Sequence, residues 1–378
     1  MRIIFLDLER SGRPRQFDFS DAETLRGGER GLLYLAGALA KRGHEITVAT
    51  RDGAADIVQQ SVRFVSMASA RSGVFDVAIS NNYAFAFDGI HAPIKIVWTR
   101  NPGFSVAHLK ADFLGKLRHR PHIVHLSRYT RRRSWFLPRA GSSIIHHGVP
   151  PELLGSSAPR TDVPSPVALF SSYASRNLSL VVDAWRRIVH PALPHARLEV
   201  TAEVAPKHAN NLPDAELAAS GIHVLGSLPW SELMERMRQS RVMLVPGHFQ
   251  ETYNNLAIES AAAGLPCITL GIGALGERVK HDQTGWVAGN VEDMGRSIVR
   301  VLTDDALWRR YHLNCFKHPD LVSWDDRAVT WENCFAKLQA NRPWRCTLGA
   351  PTPNPLERPA GVVPPSTEQT TELHELST

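Results

Sequence analysis

Cysteine is scarce in this chain of 378 residues, and none of the four cysteines shows C-x-x-C spacing or lies in a cluster with histidine. They are Cys267, Cys315, Cys334 and Cys346. Neither a zinc site nor a disulfide framework is indicated, and a reducing compartment is the simpler interpretation. The chain also lacks an uninterrupted run of about eighteen apolar residues, and the run Ile3–Leu6 is too short for a signal peptide. We therefore expect a cytoplasmic protein that does not span a membrane.

Charge of either sign is not in large excess. Charged residues make up 21% of the chain, and the formal net charge is +6. A diffuse charge of this size does not indicate nucleic acid, and an anionic small molecule or a membrane surface explains it equally well. We therefore expect no nucleic-acid partner. With 43% hydrophobic residues the chain can bury one large or two ordinary cores, and its length favours two domains.

Short runs rich in β-branched residues recur along both halves of the chain, and helical or polar segments separate most of them. In the first half the runs are Ile3–Leu6, Glu45–Ala49, Val62–Val65, Asp76–Ile79, Ile94–Trp98, Ile123–Leu126 and Ser143–Ile145. In the second half they are Val167–Phe170, Arg197–Val200, Ile222–Leu225, Val242–Val245 and Cys267–Leu270. Strands that alternate with crossovers predict a parallel sheet covered by helices. We therefore predict an α/β protein with two Rossmann-like halves.

Three further features indicate how the chain is divided. The helix predicted from Glu29 to about Arg42 has one apolar face and ends at Gly43, which suits the C′ position. A stretch rich in glycine, serine and proline follows Val149, so we place a domain boundary after residue 160. Residues 342–378 are rich in proline, threonine and glutamate and have few core-forming side chains. Such a tail cannot repay its ordering entropy, and we predict that it is disordered.

The segment 242–266 is the most informative part of the sequence, because it predicts a strand, a loop, a helix and a stop in that order. Asn254 or Asn255 is a good N-cap, and Gly264 suits the C′ position of the helix. Free N–H groups at the helix start, together with the helix dipole, favour a phosphate group beyond the end of the preceding strand. Open α/β sheets bind their ligands at this place.

Two glutamates flank this predicted phosphate site. Glu251 lies in the loop and Glu259 in the first turns of the helix, so each can accept hydrogen bonds from hydroxyl groups on one side of the phosphate. One sugar and one ribose fit this arrangement. Two glutamates eight positions apart also occur by chance, and Glu251 is then a solvated loop charge and Glu259 an ordinary helix residue.

The spacing of these two glutamates resembles the E-x7-E motif of the retaining GT-B glycosyltransferases of group 1, or family 4. Many enzymes of this family act in bacterial lipopolysaccharide and polysaccharide synthesis. Further segments that resemble family patterns are Gly27–Glu29 (the first glycine-rich loop), Val224–Leu228, Gly264–Pro266, Gly285–Val287 and Trp324–Phe335 (the crossing helix). The resemblance covers roughly residues 1–340. It implies a GT-B architecture, with two Rossmann-like domains facing a cleft.

The resemblance also implies the role of each domain and of individual residues. Residues 1–160 would form the acceptor-side domain, 161–325 the sugar-nucleotide domain, and 326–341 a helix that crosses back to the first domain. Glu251 would be catalytic and contact the transferred sugar, while Glu259 would bind the ribose hydroxyls. The pyrophosphate and the rest of the donor would contact Asn254, Asn255, Leu256, Gly28 and Ser172.

The cations around the leaving diphosphate match the family only in part. Arg176 aligns with one member of the family's basic pair and would neutralise charge on the leaving diphosphate, although it can also be a surface arginine that opens a helix. Ser171 stands where the other cation is usual. Arg100, which follows a strand whose family counterpart often ends in histidine, is a candidate to reach across the cleft in its place.

The implied reaction transfers a sugar from a nucleoside-diphosphate sugar to a hydroxyl group with retention of configuration and without a metal or other cofactor. The acceptor would be a glycan or glycolipid, which places the reaction in cell-surface polysaccharide or glycolipid synthesis. Two alternatives share the fold: a sugar-nucleotide epimerase, and a binding or scaffold subunit that has lost catalysis. The departures at Ser171 and Arg100 motivate the second alternative.

Three other patterns carry less weight. The literal G-x-G-x-x-G at 271–276 precedes only a short helical segment, so we do not interpret it as a dinucleotide fingerprint. His146 and His147 lack an indicated third ligand, so we expect no metal there. The basic segment 110–139 has Trp135, Phe136 and Leu137 interleaved among its bases. It can rest on anionic lipid or form a solvated basic helix whose aromatic residues pack inward.

Overall fold

The structure is a computed structural model that describes residues 1–8, 19, 25, 27–50, 56–100, 106–155 and 159–341, without the side chains of residues 106–111. Met1–Gln339 forms one compact unit, and a second unit, Ala340–Thr378, falls almost wholly outside the described residues. The tail 342–378, predicted to be disordered, lies outside them too. Among the described residues no helix is long and apolar enough to cross a membrane.

The first half of the described chain contains one sheet. Its strands are β1 (Arg2–Asp7), β2 (Glu45–Thr50), β3 (Ile57–Gln59), β4 (Val62–Ser66), β5 (Val77–Asn81), β6 (Ile94–Thr99), β7 (His122–His125) and β8 (Gly141–Ile144). They are arranged in the order β3-β4-β2-β1-β5-β6-β7-β8. Every neighbouring pair is parallel except β3 and β4, which are antiparallel. The order reverses at β1, which lies between β2 and β5.

The second half of the described chain forms another sheet, which is wholly parallel. Its strands are β9 (Val167–Phe170), β10 (Arg197–Val200), β11 (Ile222–Val224), β12 (Val242–Leu244), β13 (Cys267–Thr269) and β14 (Gly285–Val287). The order β11-β10-β9-β12-β13-β14 is the Rossmann order 3-2-1-4-5-6. The loops that follow β9 and β12 therefore lie at the switch point, where such sheets bind ligands.

Helices connect the strands of both sheets, and three more helices follow the last strand. They are α1 (Gly27–Lys41), α2 (Met67–Ala70), α3 (Val106–His119), α4 (Arg128–Arg133), α5 (Leu178–Ala184), α6 (His190–Ala192), α7 (Asp214–Ala219), α8 (Trp230–Gln239), α9 (Asn255–Ala262), α10 (Leu275–Arg278), α11 (Val291–Thr303), α12 (Asp305–Cys315) and α13 (Trp324–Ala340). A π-helical turn, Trp185–Val189, joins α5 to α6. The helix α1 begins two residues before its predicted start and ends as predicted before Gly43, whose φ is +84°.

The predicted strands are confirmed to within two residues at their ends, and two strands were missed. β3 is a three-residue antiparallel edge strand, and only Ile57 and Val58 in it are apolar. β14 corresponds to the segment Gly285–Val287, for which the sequence analysis gives a family pattern but no strand. The prediction of two parallel-sheet α/β domains is confirmed.

The long helix α13 packs against the first sheet, although it follows the second sheet in the chain. The Trp331 ring meets the Trp98 ring edge-on, with 5.3 Å between the ring centroids. The Glu332 carboxylate accepts a hydrogen bond from Arg42, with 2.7 Å between Nη2 and Oε2. Its other oxygen, Oε1, lies 2.9 Å from Nε2 of His44. Because Trp98 and Trp331 are both fully buried, this contact extends the core of the first sheet across the helix.

Candidate functional site

A cavity of about 690 Å³ lies where the carboxyl ends of the two sheets meet. It is lined by Gly27, Gly28, Glu29, Arg100, Leu126, His147, Ser172, Tyr173, Ser175, Arg176, His248, Gln250, Glu251, Thr252, Tyr253, Asn254, Asn255 and Leu256. The structure thus brings together eight of the nine residues that the sequence analysis assigned to the site. The exception is Glu259.

The start of helix α9 forms one wall of the cavity. Asn254 is the N-cap: it has a φ of +68°, and its Oδ1 accepts a hydrogen bond from the Ala257 N–H at 2.9 Å. Asparagine tolerates this left-handed backbone better than most residues. The helix ends as predicted, with Gly264 in the C′ position at a φ of +71°. The first-turn N–H groups of Asn255 and Leu256, which have no carbonyl partner within the helix, therefore lie beside the cavity.

The start of helix α1 forms the opposite wall. A Cβ atom on Gly27 would stand only 2.9 Å from Nδ2 of Asn255, so glycine allows the two helix starts to approach each other. Gly28 and Glu29 also line the cavity. Two helix dipoles thus present their positive ends to the same space, which favours an anionic group there.

Arg176 and Glu251 form an ion pair at the cavity, with 2.7 Å between Nη1 and Oε1. The Glu251 side chain is only 3% exposed, whereas that of Arg176 is 30% exposed. Arg176 follows β9 and lies over the Tyr173 ring, with Cζ 5.3 Å from the ring centroid. The backbone of Glu251 is also held: its N–H donates to the His248 carbonyl, and its carbonyl accepts from the Ala274 N–H. The carboxylate therefore has a well-defined position.

Arg100 lines the cavity, but its guanidinium makes its contacts within the first domain. Nε donates to Asn81 at 2.6 Å, Nη1 donates to the Gly28 carbonyl, and Nη2 lies 3.3 Å from Asp7. The Arg100 carbonyl accepts a hydrogen bond from Thr252 at 2.7 Å, which links the two domains. Its proposed reach toward the diphosphate would require an exchange of these partners, and that role stays a prediction.

Glu259 is buried and does not line the cavity. Sequence reasoning missed its ion-pair partner Arg30 and also Trp230, on which Arg30 stacks. Oε1 of Glu259 lies 3.6 Å from Nη2 of Arg30, which belongs to α1. The Arg30 guanidinium in turn stacks over the Trp230 ring, 3.7 Å from its centroid. Burial raises the pKa of the Glu259 carboxyl, and the charge of Arg30 opposes that rise. Because Arg30 lies only two positions after Gly28, the glycine-rich loop was a signal that could have drawn attention to it.

The two adjacent histidines contact different residues. His146 contacts Asp320 at 2.8 Å, whereas His147 lines the cavity and contacts Asn255. Among the described residues, no three His, Cys, Asp or Glu side chains lie close enough together to hold a metal ion. The G-x-G-x-x-G segment at 271–276 runs into α10, which has only four residues, so the helix after it is short, as expected.

For the basic segment 110–139, the structure excludes one of the two alternatives given above. Trp135 is 73% exposed and Phe136 is 43% exposed, so the alternative in which the aromatic residues pack inward is wrong. Lys116 is buried and paired with Asp112, and burial lowers the pKa of this lysine to about 8. Arg131, Arg132 and Arg133 of α4 are exposed.

Helix α4 also contacts the second domain beside the cavity. The Glu277 carboxylate accepts hydrogen bonds from the N–H groups of Arg128 and Tyr129, at 3.0 and 2.7 Å. The Tyr129 hydroxyl donates to the Phe249 carbonyl at 2.8 Å. Since His248 and Gln250 line the cavity, these contacts place the basic helix close to the cavity rim.

Comparison with known proteins agrees with this geometry. Residues 165–304 match the family model "Glycosyl transferases group 1". Glycogen synthase of Mycobacterium tuberculosis (strain ATCC 25618 / H37Rv) is 34% identical over 88 residues, which are 23% of this chain and 21% of the relative. The chain thus spans about a fifth of the length of that curated relative.

Solved structures match nearly the whole chain, at low identity. Sucrose-phosphate synthase from Thermosynechococcus elongatus has a TM-score of 0.70 at 15% identity, and the match covers 90% of this chain and 100% of that one. Anabaena Alr3699/HepE, in complex with UDP and glucose, has a TM-score of 0.68 at 13% identity and coverages of 89% and 100%. The fold of this protein is therefore the GT-B fold, as predicted.

Proposed function

We propose that this protein is a glycosyltransferase, which transfers a sugar from a nucleoside-diphosphate sugar to a hydroxyl group with retention of configuration. The observation that carries the proposal is the cavity at which two helix starts converge beside the Arg176–Glu251 ion pair. The match to the group 1 glycosyltransferase model supports the proposal, because the matched residues 165–304 include Glu251, Asn255 and Leu256.

The proposed chemistry follows from the charges around the cavity. The bond from the anomeric carbon to the diphosphate oxygen breaks, and its electron pair stays on that oxygen. Arg176 and the first-turn N–H groups of α1 and α9 stabilise the developing negative charge, as preorganised donors do at other leaving groups. The acceptor oxygen bonds to the anomeric carbon on the same face, and its proton passes to the departing phosphate oxygen. Glu251 holds hydroxyl groups of the transferred sugar.

These residues supply the positive charge without a metal ion, and we propose that the reaction needs none. Glu259 would bind the ribose hydroxyls after its partner Arg30 has moved away, since the carboxylate is otherwise buried. The cleft side formed by the first domain would receive the acceptor, a glycan or glycolipid. We propose a role in cell-surface polysaccharide or glycolipid synthesis.

The first experiment is a thermal-shift series with UDP, GDP, ADP and their sugar conjugates. A ligand present at about 100 times its Kd stabilises the folded state by roughly 2.7 kcal/mol, so specific binding is easily seen. We expect one nucleotide to stabilise the wild type and to have little effect on Arg176→Ala and Glu259→Ala. The control variant is Arg187→Ala, whose side chain is exposed and does not line the cavity. Absence of stabilisation by every nucleotide would refute the proposal.

Turnover with the bound donor then separates the three functions that share this fold. A transferase releases nucleoside diphosphate in the presence of an acceptor, and NMR of the product shows the retained anomer. Activity in excess EDTA should equal that in untreated buffer. Isomerised free sugar without an acceptor would identify an epimerase, and binding without turnover across many acceptors would identify a scaffold subunit.

We further propose that α4 and the residues after it contact an anionic membrane at the cytoplasmic face. The contact surface, which we call the basic–aromatic face, consists of Arg131, Arg132, Arg133, Trp135 and Phe136. Exposed arginines beside exposed aromatic rings complement a negatively charged bilayer. The hydrogen bonds of Tyr129 and Glu277 near the cavity rim would hold the cavity close to a lipid-linked acceptor.

Vesicle sedimentation tests this contact. Vesicles with about one third phosphatidylserine should bind the wild type, and pure phosphatidylcholine vesicles should not. Trp135→Ser with Arg132→Glu should abolish binding, whereas the exposed control Leu313→Ser, on α12 of the other domain, should leave it unchanged. Equal binding of both variants would refute the basic–aromatic face.

A further inference from the structure

His147 lines the cavity, but none of the roles given above uses it. Its ring is enclosed by aromatic rings: the centroid distances are 5.2 Å to Trp98, 5.3 Å to Tyr253 and 5.4 Å to Trp324. Its carbonyl oxygen accepts hydrogen bonds from Arg327 Nε at 3.1 Å and from the Tyr253 hydroxyl at 3.4 Å. The residue is 3% exposed, so both its backbone and its ring are held in place.

We propose that His147 is a positioning residue, which orients the Asn255 carboxamide so that its NH₂ group faces the cavity as a fixed donor to the donor's diphosphate. The contact that carries this inference is the 2.7 Å separation between His147 Nδ1 and Asn255 Oδ1. The inference rests on the proposed function, because it assigns the diphosphate as the group that receives the hydrogen bond.

The charge state of His147 follows from its surroundings. Burial lowers the pKa of this histidine to about 3, and the positive charges of Arg100 and Arg327 lower it further, while the hydrogen bond with Asn255 opposes the shift. The ring is therefore neutral throughout the usual assay range, and it carries one N–H group only.

The position of this proton decides which way the carboxamide points. Nε2 has no hydrogen-bond partner among the described residues. A buried N–H group without a partner is rarer in proteins than a buried acceptor without one. The proton therefore belongs on Nδ1, which donates to Oδ1 of Asn255.

The other end of the carboxamide then faces the space between the two helix starts. Nδ2 of Asn255 lies beside Gly27, and both residues line the cavity. An amide NH₂ group donates two hydrogen bonds and accepts none. Together with the first-turn N–H groups of α9, it adds a side-chain donor where an anion is expected. The reversed carboxamide would instead present a carbonyl oxygen, which repels a phosphate.

The test measures affinity for the diphosphate of the nucleotide that the wild type binds, and for the matching nucleoside without phosphates. His147→Phe removes the donor and keeps a ring of similar size. His147→Asn keeps an N–H at the place of Nδ1. His125→Phe is the matched control, because His125 is equally buried but does not line the cavity.

We expect His147→Phe and Asn255→Ala each to weaken diphosphate binding by roughly ten- to a hundredfold, the size typical of a lost hydrogen bond to a charged group. The double variant should be no weaker than either single variant, because both lose the same interaction. Nucleoside affinity should not change, His147→Asn should restore most of the diphosphate affinity, and His125→Phe should match the wild type. Additive losses, or equal losses for the nucleoside, would overturn the proposal.

Two further readouts separate this proposal from its alternatives and from the proposed function. If a protonated His147 contacted the phosphate directly, affinity would fall as pH rises through about 6.5 and His147→Phe would remove that dependence. Such a result would overturn the positioning role. Nitrogen NMR of the ligand-free protein should show the Nδ1–H tautomer, and an Nε2–H tautomer would overturn it without any nucleotide. A wild type that binds no nucleotide would refute the proposed function and the diphosphate role together, while the tautomer still reports the His147–Asn255 hydrogen bond.

Discussion

The buried ion pair between Arg30 and Glu259 joins α1 of the first domain to α9 of the second, and its removal gives a quantitative prediction. Both side chains are less than a tenth exposed. In Arg30→Met, the Glu259 carboxylate keeps its buried place and loses its cation. Breaking a buried pair on one side costs about 3–5 kcal/mol, because one charge stays without compensation. Glu259 then becomes the main source of the loss.

This loss should be visible in the melting temperature. Since the entropy of unfolding scales with chain length, 3–5 kcal/mol corresponds to roughly 4–7 °C for a unit of this size. Removal of both charges, in Arg30→Met with Glu259→Gln, should recover most of that difference, because replacing a whole buried pair is often nearly neutral. The exposed control Arg187→Met, which breaks a surface pair with Asp183, should change the melting temperature by less than about 1–2 °C.

The pH dependence has a definite sign. Burial raises the pKa of Glu259 in the folded protein, and the loss of Arg30 would raise it further. An acid whose pKa is higher when folded binds more protons in the folded state, so its presence destabilises the fold as pH rises above the unfolded value of about 4.3. The deficit of Arg30→Met should therefore be small near pH 4 and largest at neutral pH. Scanning calorimetry from pH 4 to 8 would measure it. A constant deficit at all pH values, or a double variant no more stable than Arg30→Met, would refute the reasoning.

Two other predictions concern local structure. Gly264→Ala should destabilise the protein by roughly 2 kcal/mol or more. Its φ of +71° is unfavourable for alanine, and the Cβ atom would also stand 2.5 Å from the His312 ring. Gly43→Ala has a φ of +84° but nothing within 4 Å, so it should cost only about 1 kcal/mol. Urea unfolding would compare them, and equal costs would contradict the close contact. For Asp320, burial acts to raise the pKa of the carboxyl group. The hydrogen bond with His146 and the charge of Arg278 nevertheless hold this pKa well below its usual range. Its stabilisation should be present above about pH 4 and lost as pH falls below it, so Asp320→Asn should lose less stability than the wild type between pH 5 and 3.

Features set by neighbours in the chain could be predicted well. The strands β9 and β10 agree with the prediction to the residue. β9 is apolar at all four positions, and β10 alternates polar and apolar residues, and both are patterns typical of strands. The C′ glycine Gly264 was also predicted, and the N-cap was predicted to be Asn254 or Asn255, of which the structure has Asn254. Capping depends on residues only three or four positions apart. The edge strand β3 was not, because its stability comes from pairing with β4 rather than from its own three residues.

In the candidate site, too, the residues that are close together in the chain could be predicted and the distant ones could not. Glu251 and the α9 start stand within a few positions of one another, so their spacing alone placed them together. Arg30, Trp230 and His147 come from three distant segments. Only the packing of the two sheets brings Arg30 to Glu259 and Trp230, and His147 to Asn255. The exposure of Trp135 could not be predicted from an aromatic residue in a basic run either, since Trp135 lies in the turn after α4, and the burial of a turn residue depends on the elements packed around it.

The sequence by itself thus determined the alternation of strands and helices, the caps of α9 and the motif that indicates a sugar-nucleotide site. Each depends on interactions within a few residues, where backbone geometry leaves few arrangements. Only the tertiary structure decided that Arg30 covers Glu259 and that His147 orients Asn255. Those contacts join residues more than a hundred positions apart, and their formation depends on how the whole core packs, which no local pattern specifies.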